Sequence, residues 1–308
     1  MKIGVIGGGA IGLLFSYYLS EIHSVCLYVH SEEQLEIIKE KGILLEKEGQ
    51  MKSKSIPVKI FSEWHGEEDV TLIALKQYHL PGMISRFSSY SSKKHAFLFL
   101  QNGMGHLKYF DKMDGEIYIG TVEHGAMKLD GNHVIHTGLG VTKIAAFRET
   151  TVKFHHFIKK IQDESFPFVV EDDYEQMLIQ KLVVNAIINP LTAILQIKNG
   201  ELIHNPYYFE LVKRMFTEIR ESLNLQNDDK YFKHIMAVCE QTAQNDSSML
   251  RDLKENRPTE IDAILGYILE RAAEKEISTP VLEVFYQAVK GKECRVEDNT
   301  TCQKLYLQ

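Results

Sequence analysis

Cysteine is scarce in this chain: four in 308 residues, at Cys26, Cys239, Cys294 and Cys302. None belongs to a Cys-x-x-Cys pair and none stands beside a histidine cluster. A disulfide framework and a metal site therefore lack support, and reduced thiols in a cytoplasmic protein are the expectation. Positive charge is also short. The 35 Lys and Arg face 42 Asp and Glu, a formal net charge of −7. That balance argues against a nucleic-acid partner and suits a small metabolite. No apolar run approaches the roughly 18 residues of a membrane span, so no membrane partner is expected. The apolar start of the chain breaks at Gly7-Gly8-Gly9 and reaches Ser20-Glu21 without a small-residue cleavage site, unlike a signal peptide. Internal repeats are missing too. What is present is a globular composition, 44% hydrophobic and 25% charged, enough for about two domains with cores of their own.

The first half alternates short apolar runs with helical stretches. Strands are predicted at 2–6, 25–29, 70–75, 96–100, 117–122 and 141–147, with a weaker one at 134–137. Helices are predicted at 12–20 and 32–41. Such alternation implies a mostly parallel sheet covered on both faces. Beyond residue 171 strand signals nearly vanish. Helices are predicted at 174–189, 207–223, 229–244, 247–255, 261–276 and 281–290, punctuated by Asn199-Gly200, Asn205-Pro206 and Thr279-Pro280. The expected organisation is an α/β Rossmann-type domain over 1–167, followed by an all-α domain over 168–308. The last dozen polar residues are expected to fray.

Gly7-Gly8-Gly9-Ala10-Ile11-Gly12 fits G-x-G-x-x-G between a strand and a helix, the context in which that pattern holds a dinucleotide. Gly7 permits the tight turn, Gly9 lets a pyrophosphate approach the backbone, and Gly12 lets the helix pack near the strand. The helix N-terminus offers N–H groups to the phosphates. An NAD enzyme usually carries an acidic residue at the end of the second strand. Here that strand ends in His30-Ser31. An imidazole and a hydroxyl can accept a 2′-phosphate that a carboxylate would repel, which favours NADPH/NADP+. Ser31 could equally serve as a helix cap. Lys76 and Asn102-Gly103 end two further strands, on the edge where open α/β sheets bind ligands. A solvated lysine and a bare turn are their plainer readings.

In the second half, Lys181, Asn185 and Asn189 recur every four residues on an otherwise apolar helix and so share one face. Polar groups on a buried face need partners; a polar ligand or a neighbouring helix could supply them. A lysine there suits keto reduction, since it can stabilise the developing alkoxide and donate the proton. Ser247 and Ser248 stand at a predicted helix start, either cradling a substrate carboxylate or simply capping. Glu260, with Thr259 and Asp262, reads equally as a first-turn glutamate.

At these residues the chain resembles the ketopantoate reductase (2-dehydropantoate 2-reductase) family over nearly its whole length. The motifs are Gly7–Gly12, Lys76, Asn102-Gly103-Met104-Gly105, Gly120-Thr121 with His124, and Lys181–Asn185 running on to Asn189-Pro190-Leu191-Thr192-Ala193. Asn199-Gly200-Glu201-Leu202, Ser247-Ser248-Met249-Leu250 and Thr259-Glu260-Ile261-Asp262 follow in order. The resemblance implies a helical domain like the C-terminal domain of 6-phosphogluconate dehydrogenase. It implies NADPH-dependent reduction of ketopantoate to (R)-pantoate in pantothenate synthesis. It makes Lys181 the general acid and Glu260 the residue that binds the substrate hydroxyl and orients catalysis, close to the cofactor. Asn102, Asn185, Asn189, Asn199 and Ser248 would hold the keto acid. Gly7 to Gly12, His30, Ser31, Lys76, Asn102 and Glu260 would meet the cofactor. Family members often carry an arginine where this chain has His30. A homodimer is an open option. The rivals are a reductase of another 2-keto acid and a non-catalytic NADPH-binding regulator, which would need neither Lys181 nor Glu260.

Overall fold

The computed structural model describes residues 1–90, 95–148, 152–161 and 164–294. The expectation of a fraying terminus and the position of Cys302 lie outside them. The chain divides into two compact units. One comprises Met1–Gln101 and His106–Met177; the other begins at Leu178 and takes in Asn102–Gly105.

The first unit runs β1 (Lys2–Ile6), α1 (Ala10–Leu19), β2 (Ser24–Val29), α2 (Glu32–Lys41), β3 (Ile43–Lys47), β4 (Gln50–Lys54) and β5 (Val58–Ile60). It continues with β6 (Val70–Ile73), α3 (Ile84–Tyr90), β7 (Ala96–Phe99), β8 (Glu116–Val122), β9 (Gly125–Lys128), β10 (His133–Gly138), β11 (Thr142–Ala146), α4 (Val152–Ile161) and β12 (Phe168–Val170). Eight strands form one sheet in the order β12-β11-β8-β7-β6-β1-β2-β5. Pairing is parallel except between β11 and β8. The central strands carry Ile3, Val5, Leu27, Leu72, Leu98 and Phe99, all fully buried. Continuous apolar runs of this kind mark strands covered on both faces. The unit divides from the second after Met177 rather than after residue 167, because Phe168–Val170 pairs in parallel with Thr142–Ile144.

A second, four-stranded sheet in the order β4-β3-β10-β9 departs from the predicted pattern. Its strand β4 is mostly exposed and polar, so no alternation announces it. The weakly signalled 134–137 segment is the core of β10, with Val134 fully buried.

The second unit is helical among its described residues. After α5 (Tyr174–Leu195) come α6 (Glu201–His204), α7 (Pro206–Leu223), α8 (Asp228–Gln241), α9 (Ser248–Lys254), a π-helical segment (Asp262–Gly266), α10 (Tyr267–Glu274) and α11 (Pro280–Glu293). Helix α5 runs six residues past its predicted end at Asn189, through Pro190. A proline costs an internal helix one hydrogen bond. Here Ala186–Ala193 are all buried, and that packing carries the helix through. At 22 residues, with a window of mean hydropathy 1.6, α5 is long and apolar enough to cross a membrane, contrary to the expectation from the sequence. Two-thirds of that window is buried, and the helix carries Lys181, Asn185 and Asn189. It has the character of a core helix.

Cys26 and Cys239 are free thiols. Cys294 is disulfide-bonded, which corrects the expectation of reduced thiols throughout.

Candidate functional site

The glycine loop connects β1 to α1. Gly7 has φ +116°, a left-handed conformation that side chains resist. A Cβ on Gly12 would lie 1.7 Å from the Gly7 carbonyl oxygen, so α1 can fold back on its own loop only with glycine there. Around Gly9 nothing lies within 4 Å of where a Cβ would be. The backbone there is open to a ligand. Gly9 caps α1 without any side-chain bond, and the first turn holds no acidic residue. Ala10 and Ile11 pack against the core while their backbone opens the helix. An uncapped helix start of this kind favours an anion.

The remaining loop residue, Gly8, is held from two directions. Its carbonyl oxygen accepts from the Gln34 side-chain amide at 2.8 Å and from Lys128 Nζ at 3.0 Å. Gln34 also donates to the Gly131 carbonyl at 2.6 Å. The loop is thereby pinned to α2 and to the β9–β10 turn. Sequence spacing could not have singled out Gln34 or Lys128, which reach the loop only through the second sheet and the start of α2.

In the eight-stranded sheet β1 lies between β2 and β6. The ends of these strands present His30, Ser31 and Lys76 on the same edge as the glycine loop. His30 and Ser31 are exposed and Lys76 is half-buried. Ser31 does cap α2, its hydroxyl accepting from the Gln34 N–H at 3.3 Å. His79, in the turn just after Lys76, had no sequence signal. Burial and the neighbouring His30 push its imidazole below the usual range. Gln101 fixes the ends of β6 and β7 by donating to the Ile73 and Leu75 carbonyls at 2.8 and 3.0 Å.

In the second unit α5 carries Lys181 and Asn185, both half-buried, and Asn189, which is buried. The Asn189 amide stands 3.5 Å from Ser248 Oγ. The adjacent serines divide their labour. Ser247 is buried and caps α9, accepting from the Leu250 N–H at 3.1 Å and lying 2.7 Å from Thr192 Oγ1. Ser248 is exposed beside Asn189. Asn199 is built into a turn instead. Its amide donates to Thr242 Oγ1 at 2.9 Å and its backbone N–H to the Asn245 carbonyl at 3.1 Å.

Asn102 and Glu260 meet across 158 positions of sequence, the amide donating to Glu260 Oε2 at 2.8 Å. Glu260 is 7% exposed. Its carbonyl accepts from the N–H groups of Ala263 and Ile264 as the π-helical segment begins. Widened turns of this kind often occur at functional sites. Gly103 explains how the two segments come so close. It has φ +76°, and a Cβ there would lie 2.1 Å from the Ala263 carbonyl oxygen. The Asn102-Gly103 pair is thus a docked turn.

His124 belongs to the first unit. It stacks on Phe166 at 4.2 Å, and burial depresses its imidazole to about 4. His106 is fully buried between Phe99 and Phe110, with its imidazole pushed down to about 3.

Both units have relatives. The family described as ketopantoate reductase PanE/ApbA matches residues 3–149, and its C-terminal domain, ketopantoate reductase PanE/ApbA C terminal, matches residues 173–293. A 2-dehydropantoate 2-reductase of Bacillus subtilis is 40% identical over 297 residues, covering 95% of this chain and 98% of the relative. The crystal structure of a probable 2-dehydropantoate 2-reductase from Bacillus subtilis superposes with a TM-score of 0.86 at 39% identity, covering 95% of this chain and all of that one. Two more distant structures share the fold. A D-mandelate dehydrogenase with NADH and anilino(oxo)acetate has a TM-score of 0.89 at 24% identity, covering 95% and 98% of the two chains. A dimeric ketopantoate reductase from Staphylococcus aureus has a TM-score of 0.79 at 23% identity, covering 95% and 99%. With matches in both units and a relative at 40% identity along nearly its whole length, this chain belongs to the ketopantoate reductase family.

Proposed function

We propose that the protein is an NADPH-dependent 2-dehydropantoate 2-reductase, converting ketopantoate to (R)-pantoate. The observation that carries this reading is the Asn102–Glu260 bond. It links two segments 158 positions apart in sequence and fixes a buried carboxylate beside a π-helical segment.

The glycine loop fits a dinucleotide: an open backbone at Gly9 and an uncapped α1 can receive a pyrophosphate. The bound nicotinamide would supply hydride to the keto carbon. Lys181 then supplies the proton to the keto oxygen, so the carbonyl becomes a secondary alcohol and the lysine is left neutral until water reprotonates it. Before transfer, its positive charge favours the negative charge developing on that oxygen. Glu260, directed by Asn102, accepts a hydrogen bond from the substrate hydroxyl. Asn185, Asn189 and Ser248 offer polar groups to the rest of the keto acid. Asn199 contributes by bracing the segment 242–248 that carries Ser248.

Preference for NADPH rests on His30, Ser31 and Lys76, with no carboxylate at the strand end itself to repel a 2′-phosphate. His79 and Lys128 add imidazole and cationic groups around the same edge. The free thiols of Cys26 and Cys239 suit a cytoplasmic location and the bonded Cys294 counts against it; a homodimer stays an open option. The test is NADPH oxidation with 2-dehydropantoate against a panel of 2-keto acids, compared by kcat/KM. Ketopantoate should lead the panel and NADPH should outperform NADH. A different keto acid in the lead would replace the substrate, and NADH in the lead would replace the cofactor.

A further inference from the structure

The corner that carries Glu260 is gripped from the last turn of α11. Glu293 Oε1 accepts two hydrogen bonds from one residue, the Thr259 backbone N–H at 2.7 Å and the Thr259 hydroxyl at 2.6 Å. Thr259 Oγ1 in turn accepts from the Ile261 N–H at 3.2 Å. The second Glu293 oxygen pairs with Lys290 at 3.2 Å, and Lys290 also reaches Asp262 Oδ2 at 3.0 Å. Tyr286 donates to Asp262 Oδ1 at 2.7 Å. Residues 286, 290 and 293 share one face of α11. That face holds both neighbours of the reactive corner, Thr259 and Asp262, while the Glu260 side chain is bonded to Asn102. The far end of α11 is fixed as well, since Glu218 accepts from the Val281 and Leu282 N–H groups at 3.0 and 2.9 Å.

Thr259 is 5% exposed. Hydrogen bonds to a carboxylate at so buried a position are strong and geometrically strict. We propose that Glu293 is a positioning residue for the reduction. By fixing Thr259 it sets the direction of the next residue's carboxylate, and so the fit of Glu260 to the substrate hydroxyl. This rests on the reading of Glu260 as a substrate-binding group.

The test uses the full chain with NADPH and 2-dehydropantoate. Glu293→Ala should lower kcat/KM by ~10- to 100-fold, the scale of losing hydrogen bonds to a charged group, while KM for NADPH stays within about twofold. Glu293→Gln, whose side-chain oxygen can accept the same two bonds, should recover to within about fivefold of the parent. On a Glu260→Ala background, Glu293→Ala should cost less than about twofold, because no carboxylate is left to aim. Should Glu293→Ala fail to fold in a thermal melt, Thr259→Val takes its place under the same criteria. Near-parental kcat/KM in that variant, or an equal loss with and without Glu260, would overturn the proposal. Glu260→Ala with parental kcat/KM would instead overturn the reading of Glu260, a result that can be told apart from failure at Glu293.

Discussion

The glycine loop and the Glu260 corner are built by opposite means. The loop is made of backbone. Its shape follows from a glycine at +116° and from a helix packed where no Cβ fits. The corner is made of side chains drawn from Asn102, Thr259, Glu260 and Glu293, joined by hydrogen bonds over as many as 158 positions. Backbone sites are written in a short string of residues. Side-chain sites are written in the fold.

That contrast can be broken or sharpened by substitution. The largest effect should come from Lys181→Ala, which removes the proposed proton donor. Turnover should fall by about 10²- to 10⁴-fold, with NADPH binding, followed by its fluorescence, unchanged. Next is Gly12→Ala in the loop. A Cβ 1.7 Å from a backbone oxygen forces the loop open, costing roughly 1–3 kcal/mol of stability. NADPH affinity should drop with it in a fluorescence titration. Gly9→Ala, facing open space, should melt like the parent and yet bind NADPH more weakly. If both glycine variants lose stability alike, the division of roles within the loop is wrong.

A third effect concerns pH. Burial holds His124 at about 4 and His106 at about 3, below the ordinary histidine value of about 6.5. Between those values the unfolded chain binds protons that the folded chain refuses. Stability therefore rises with pH across this range and is lost as pH falls from about 6.5 towards 4. Melts at stepped pH should show Tm declining over that window, and replacement of either histidine by an untitratable residue should flatten the decline. The smallest effect is Ser31→Ala, which removes the cap of α2. It should cost about 1 kcal/mol by denaturant titration. If Ser31 also meets the 2′-phosphate, KM should rise for NADPH and not for NADH.

The same contrast explains what the sequence made legible. Strands β1, β2, β6, β7 and β8 were readable because buried parallel strands are unbroken apolar runs. The role of Gly12 was readable because the glycine pattern is local. The face shared by Lys181, Asn185 and Asn189 was readable from helical periodicity alone. The four-stranded sheet was not, since β4 is an exposed polar edge and β9 is a short GAMK segment without alternation. Nor could spacing choose between capping and function at Glu260. Its bond to Asn102 and the close approach at Gly103 are tertiary and leave no trace in the spacing. The two serines at the start of α9 were ambiguous for the same reason, and the Leu250 N–H bond to its hydroxyl makes Ser247 the cap.

The most direct test of a side-chain-built site is a double-mutant cycle on Asn102 and Glu260, read in kcat/KM for 2-dehydropantoate. If the two act as one bonded unit, Asn102→Ala should cost about tenfold in the parent, the scale of a hydrogen bond to a charged group. It should cost almost nothing further once Glu260 is alanine. Losses that simply multiply, with Asn102→Ala equally costly on both backgrounds, would contradict the account.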